Sequence, residues 1–285
     1  MSTKILVTGA TGIIGRELVE QLHFWAPDHV VEAASTEGTG VGGAPGRAMD
    51  FLDQASVNEA FQGADRVFLL PPFHPEMESM TANAVTAARA NGVKHLVKIS
   101  GAGANAASAF ALSKLQGRCD RLVIESGIPY TLLAPIRLMQ NFATLTREMI
   151  RDGTVYCSQG EGRVPFVDSR DISSAARVIL LSPKQHCGRI YTLTGPEALT
   201  NQEALSVIGR EIDRELHLVP ISEAQAVAGM QQTGMPVPLV EALSSVNQAI
   251  AAGWSAEISL DLPQLLKRPP TQFAEFVRAY SQVWR

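Results

Sequence analysis

The sequence is poor in cysteine and in aromatic residues and has no long apolar run, and each shortage excludes something. Its three cysteines, Cys119, Cys157 and Cys187, form no CxxC pair and have no histidine at ligand spacing. That pattern supports neither a disulfide framework nor a zinc site, so reduced thiols and no bound metal are expected. Lys and Arg total 24 against 28 Asp and Glu, a net charge of -4, and the basic residues are scattered rather than gathered in a stripe. A nucleic-acid partner is therefore not expected. No stretch approaches the length of a membrane span, and an apolar strand begins within a few residues of the N-terminus, which leaves no room for a signal peptide. The expectation is a cytoplasmic protein with no membrane association. Its 285 residues suffice for one large domain or for a nucleotide domain with a smaller lobe.

What the chain does have is glycine at telling positions. Lys4 to Gly15, KILVTGATGIIG, runs an apolar strand into Gly9, Gly12 and Gly15. A helix then begins, with Ile13, Ile14, Leu18, Val19 and Leu22 at helical spacing. In such a turn the first glycine permits the tight bend, the second lets the backbone approach a pyrophosphate, and the third lets the helix lie close to the sheet. The helix N-terminus adds unpaired N–H groups and a positive dipole end. Gly9, Thr11, Gly12, Ile13, Ile14 and Gly15 are thus the expected dinucleotide cradle, with a βα turn that binds nothing as the alternative.

Strand candidates at Lys4–Val7, His29–Ala34, Arg47–Met49, Arg66–Leu70, His95–Ile99 and Tyr130–Leu133 alternate with helical segments. The alternation implies an α/β fold with a Rossmann-type, doubly wound parallel sheet, and residues 1–150 read as its NAD(P)-binding domain. Beyond residue 150 the rhythm loosens. A short strand is expected at Val164–Val167, a helix at Ser169–Leu181 behind Asp168, and a strand at Arg189–Leu193. A capping box at Thr200–Glu203 opens a helix, and a second short strand falls at Leu216–Val219. The segment 229–238 reads as a mobile loop over a site or as a plain linker, 255–270 as irregular, and Gln272–Val283 as a closing helix. Residues 151–285 make a smaller, mainly helical, substrate-covering lobe, with about 164–195 packing back on the first domain.

In an open parallel sheet, ligands lie beyond the carboxyl ends of the strands. That rule puts Ser35 and Thr36 near the adenosine ribose and Asp50 and Phe51 at the adenine edge and face. Leu70 and Pro71 then wall the nicotinamide side, and Ser100 ends the fifth strand. For Asp50 and Phe51 the alternatives are a turn cap and a core residue. No carboxylate stands at positions 35 and 36 to take the ribose hydroxyls of NAD, and Arg47 is at hand to neutralise an extra phosphate. NADP is accordingly favoured, with NAD as the alternative. His74, in the PPFHP loop, is suited to donate a proton near neutral pH, or else is an exposed loop histidine. The expected substrate contacts are Phe73, His74, Arg137, Gln140, Asn141, Phe142 and Tyr156.

Five motifs in order carry a resemblance: VTGATGIIG at the start, VFLLPP at Val67–Pro72, ESGIPYTLLAP with LMQNF from Glu125 to Phe142, PFVDSRDI at Pro165–Ile172, and YTLTGPEALT at Tyr191–Thr200. With them the chain resembles the NmrA-like family of atypical short-chain dehydrogenases, which includes bacterial quinone, azo-dye and triphenylmethane-dye reductases. The resemblance implies a Rossmann domain with a smaller helical lobe and substrate in the cleft between them. It implies an NAD(P)H-dependent oxidoreductase passing hydride to a small conjugated acceptor such as a quinone, azo compound or imine. The alternative within the family is a non-catalytic, NAD(P)-sensing regulator. Better-known short-chain dehydrogenases use a Ser, a Tyr and a Lys four residues after the Tyr; here Phe110 stands four residues before Lys114. Phenylalanine has no proton to give, so the candidate catalytic residues are Ser100, Lys114 and His74. The physiological substrate, and whether the chain is a monomer or a homodimer, are left open by the sequence.

Overall fold

The structure, a computed structural model, describes residues 2–285. They divide into two compact units: residues 2–108, 113–134 and 170–192 in the first, and 109–112, 135–169 and 193–285 in the second.

The first half of the chain alternates β1 (Lys4–Val7), α1 (Ile13–Trp25), β2 (Val30–Ser35), β3 (Gly46–Ala48), α2 (Gln54–Ala60), β4 (Arg66–Leu69), α3 (Met77–Ala90), β5 (His95–Ile99), α4 (Ala111–Ile124) and β6 (Tyr130–Pro135). The strands assemble in the order β3-β2-β1-β4-β5-β6, with β8 (Arg189–Leu193) beyond β6, in one seven-stranded sheet. The pairings from β3 through β6 are parallel, Leu6 lying in register with Glu32 on one side and Val67 on the other. Ile5, Leu6 and Val7 are buried, as a central strand covered on both faces requires. Each intervening helix turns an apolar stripe inward, Ile14, Leu18, Val19 and Leu22 from α1 and Met80, Ala84 and Ala87 from α3. Strand order reverses between β1 and β4, which makes their carboxyl ends the switch point of the sheet.

The second unit holds α5 (Arg147–Arg151), β7 (Thr154–Cys157), α7 (Asn201–Ile212), β9 (His217–Pro220), α8 (Glu223–Gln232), α9 (Val237–Ala251), α10 (Asp261–Leu266) and α11 (Phe273–Tyr280). The helix α6 (Ser169–Leu181) enters the first unit at its second residue. β7 and β9 form a two-stranded parallel ribbon, Thr154 opposite His217. Around it Phe142, Phe166, Phe273, Phe276 and Trp284 build an aromatic core, and the Trp284 indole donates to the Phe142 carbonyl at 2.9 Å. Edge-to-face pairs at 5.1 Å (Phe142–Phe166) and 5.3 Å (Phe142–Phe273) explain how few aromatics suffice.

Three local expectations are corrected. Val164–Val167 is not a strand: Val164 makes an isolated bridge to Leu199 and Val167 one to Leu138. Pro165 between them has no N–H to give a ladder. The stretch 255–270 contains the short helix α10, and the break expected over 229–238 narrows to the residues between Gln232 and Val237, because α8 runs through Gly229.

Candidate functional site

The glycine turn lies at the switch point. Gly9 has φ +61°, and a Cβ there would come within 2.9 Å of the Leu70 carbonyl, so the turn after β1 is pressed against the end of β4. Thr8 ties the two strands further, its hydroxyl donating to the Phe68 carbonyl at 3.0 Å and accepting from the Leu70 N–H at 2.9 Å. At Gly15 a Cβ would fall 2.2 Å from the Gly9 carbonyl, which fixes glycine there for close approach of helix to turn. Gly12, the N-cap of α1, is exposed and meets only the Gly9 carbonyl, at 3.3 Å. No side chain caps α1 and no acid occupies its first turn, so the positive end of the helix is open to an anion. A bare, glycine-lined helix start of this kind fits a pyrophosphate. Thr11 and Ile13 are exposed beside it, whereas the Ile14 side chain is in the core and offers only its backbone.

At the end of β2 the Ser35 hydroxyl accepts from the Thr39 N–H at 3.2 Å, and Thr36 is exposed. Asp50 is engaged locally, Oδ1 accepting from the Leu52 N–H at 2.9 Å, and Phe51 is packed into the core beside Leu6 and Val57. Both therefore take the bland alternative in their side chains, Asp50 closing a turn and Phe51 filling core. Arg47, expected to meet a phosphate, is committed elsewhere: Nη2 reaches Glu32 at 3.1 Å and Nη1 the Glu59 and Ala60 carbonyls. Leu70 is partly buried and Pro71 buried at the end of β4, while Phe73 is exposed. His74 is half-buried, and its Nδ1 accepts from the Glu76 N–H at 3.1 Å. That bond places the proton of the neutral ring on Nε2, a donor.

Ser100, 5% exposed at the end of β5, belongs to a buried network that sequence reasoning missed. Its hydroxyl donates to Asp120 Oδ2 at 2.5 Å, and the other carboxylate oxygen receives Lys98 Nζ at 2.9 Å. Lys98 also donates to Gln116 Oε1 and the Ile99 carbonyl, both at 3.0 Å. The signal was a lone lysine inside the apolar run HLVKI, a position that demands a buried partner. With its proton given to Asp120, Ser100 presents acceptor lone pairs only. Lys114 is exposed on α4, and Phe110 stacks edge-to-face on Trp254 at 5.4 Å.

In the second unit Arg137, Asn141, Phe142 and Tyr156 come together on the wall of one cavity of about 580 Å³. Gln140 does not line it. It is 1% exposed, its amide donating to Asp168 at 2.9 Å and accepting from the Ser169 N–H at 2.9 Å, so it holds the start of α6 instead of facing substrate. Most of the wall was not foreseen: Leu145 and Met149 from the α5 region, Cys157 from β7, Asn201 from α7, Met230 from α8 and Leu243 from α9. These residues are scattered along the sequence, and only their faces on separate helices bring them together. Burial pushes the Cys157 thiol above its ordinary value and draws the Arg137 guanidinium below its own.

The sheet order and the glycine turn at its switch point define a dinucleotide-binding Rossmann protein. A family model described as NAD(P)H-binding matches residues 9–163, and the chain belongs to that family. It is 32% identical over 282 residues to the NAD(P)H azoreductase of Xenophilus azovorans, covering 97% of this chain and 98% of that protein. It is 30% identical to the (4-alkanoyl-5-oxo-2,5-dihydrofuran-3-yl)methyl phosphate reductase of Streptomyces griseus, over 98% and 99% of the two chains. Among solved structures, the NADPH complex of the quinone oxidoreductase QOR2 from Escherichia coli superposes with a TM-score of 0.85 at 25% identity, covering 96% of this chain and 98% of that one.

Proposed function

We propose that the protein is an NAD(P)H-dependent oxidoreductase that passes hydride to a small conjugated acceptor of the quinone or azo type. The observation that carries this reading is the uncapped, glycine-lined start of α1 at the switch point between β1 and β4, in a chain similar over nearly its full length to two reductases. In this reading the first unit holds the cofactor and the second unit's cavity takes the acceptor.

The N–H groups of residues 11–15 receive the pyrophosphate, Ser35 and Thr36 lie beside the adenosine ribose, and the backbone at Asp50 and Phe51 borders the adenine. Leu70 and Pro71 pack along the nicotinamide. Ser100, held as an acceptor by Asp120, takes an N–H or O–H of the cofactor, and Lys114 supplies a cation to its ribose. The bound cofactor supplies the hydride. What the chain must add is position and a proton, and conjugated acceptors need little more because the charge that develops on them is delocalised. The His74 Nε2–H is the proposed donor to the reduced product, since Phe110 removes the usual phenol. Free cysteines and the use of NAD(P)H accord with a cytoplasmic setting, and no helix among the described residues is long and apolar enough to cross a membrane.

The test is to follow oxidation of NADPH and of NADH by the purified protein with a panel of neutral and acidic quinones and azo dyes. Turnover of at least one acceptor is expected, and His74→Phe should lower kcat by about 10–100-fold with KM for cofactor unchanged. Tight cofactor binding with no turnover across the panel would overturn the reading in favour of a dinucleotide-sensing regulator.

A further inference from the structure

We infer that the acceptor carries an acidic substituent, a carboxylate or sulfonate, and that Arg137 receives it; this rests on the reductase reading above. The second unit's cavity has room for a bicyclic aromatic, and its wall is largely apolar, with Phe142, Leu145, Met149 and Met230 among the lining side chains. Arg137 stands in that wall, half-buried, and among the described residues its guanidinium has neither a hydrogen-bond acceptor nor an ion-pair partner.

An unpaired guanidinium drawn out of water is costly, and buried cations are ordinarily paired. The surroundings do not supply the pair. The ionisable group acting on Arg137 is the Cys157 thiol, which burial keeps in its neutral form. Glu148, also on the cavity wall, is turned to Arg147 at 2.8 Å and Arg151 at 3.8 Å. Glu223, whose two carboxylate oxygens are buried without a hydrogen-bond partner, bears on Cys157 but not on Arg137. Three of the amides at this cavity are linked to one another: Asn201 donates to Gln159 at 2.7 Å, and Gln159 to Asn247 at 2.7 Å. Ser158, on the same wall, has a buried hydroxyl oxygen with no partner.

Arg137 thus turns a planar fork of guanidinium N–H groups to a largely apolar cavity, with the Ser158 hydroxyl and the Asn141 and Tyr156 side chains on the same wall. That donor set matches an oxyanion, which arginine holds through two parallel N–H···O bonds. An acid bound there fixes one end of a flat acceptor and leaves its conjugated body against the apolar wall.

The experiment compares 4-hydroxyazobenzene-4′-carboxylate with its carboxamide, which matches it in shape and differs in charge. Binding of each to the protein is measured by calorimetry, and turnover with NADPH and with NADH separately. Wild type should bind the carboxylate at least about tenfold more tightly. In Arg137→Met the ratio should collapse to about one, and Arg137→Lys should recover part of it. Equal binding of the two compounds by wild type, or a ratio that survives in a folded Arg137→Met protein, would overturn the inference. Selective binding without turnover of any acceptor would overturn the reductase reading and leave the anion site standing.

Discussion

Gly12 and Gly15 look equivalent in the sequence, yet a Cβ would meet very different surroundings at each. At Gly15 it would collide with the Gly9 carbonyl at 2.2 Å, so Gly15→Ala should cost about 2–3 kcal/mol of stability by forcing α1 off the turn. At Gly12 it meets that carbonyl at 3.3 Å with φ -77°, so Gly12→Val should cost about 1 kcal/mol or less while weakening NADPH binding at least about tenfold. Denaturant midpoints and cofactor titration separate the two effects; unaltered NADPH affinity in Gly12→Val would displace the pyrophosphate from this turn. Arg47 offers a second contrast between apparent and actual role. Because its guanidinium is bound to Glu32 and to two carbonyls around the end of α2, Arg47→Met should lower stability by about 1–2 kcal/mol. The NADPH-to-NADH ratio of kcat/KM should stay as in wild type. A marked swing of that ratio toward NADH would show that Arg47 leaves Glu32 for a phosphate.

At the scale of elements, the buried Lys98–Asp120 pair links β5 to α4 and sets the orientation of Ser100. Asp120→Ala strands an ammonium whose side chain is 1% exposed, with two neutral acceptors left to it. The expected cost is about 3–5 kcal/mol by urea unfolding, and a further change Lys98→Met should return much of it, since the orphaned charge is then gone. A single variant as stable as wild type would mean that water reaches this site. The elements themselves were largely legible in the sequence: β1, β5 and α6 fall at the expected residues because runs such as KILV and HLVKI leave little choice of state. Val164–Val167 was not legible, since its short apolar run satisfies a strand pattern while Pro165 lacks the N–H that a continuous ladder needs.

Within the first unit one buried histidine makes the stability of the whole fold pH-dependent. Thr131 gives its proton to the His186 carbonyl and so accepts from His95 Nε2–H at 2.9 Å. Burial first, then Arg66 and His186, lowers its pKa to about 4. The unfolded chain, with a histidine near 6.5, binds more protons between those values, so stability falls as pH drops from about 6.5 toward 4. The loss is on the order of 3 kcal/mol, and His95→Gln should flatten the melting temperature over that range; an unchanged slope in the variant would assign the acid sensitivity elsewhere. By itself the sequence determined the Rossmann sheet, its glycine turn and the family, because strand periodicity and glycine geometry are local properties written in consecutive residues. Only the tertiary structure decided that Gln140 and Phe51 are committed to packing, that Asp120 governs Ser100, and that Arg137 stands unpaired in an apolar cavity. Those facts depend on which side chains from distant segments meet, and burial with partner choice is settled by the folded chain as a whole.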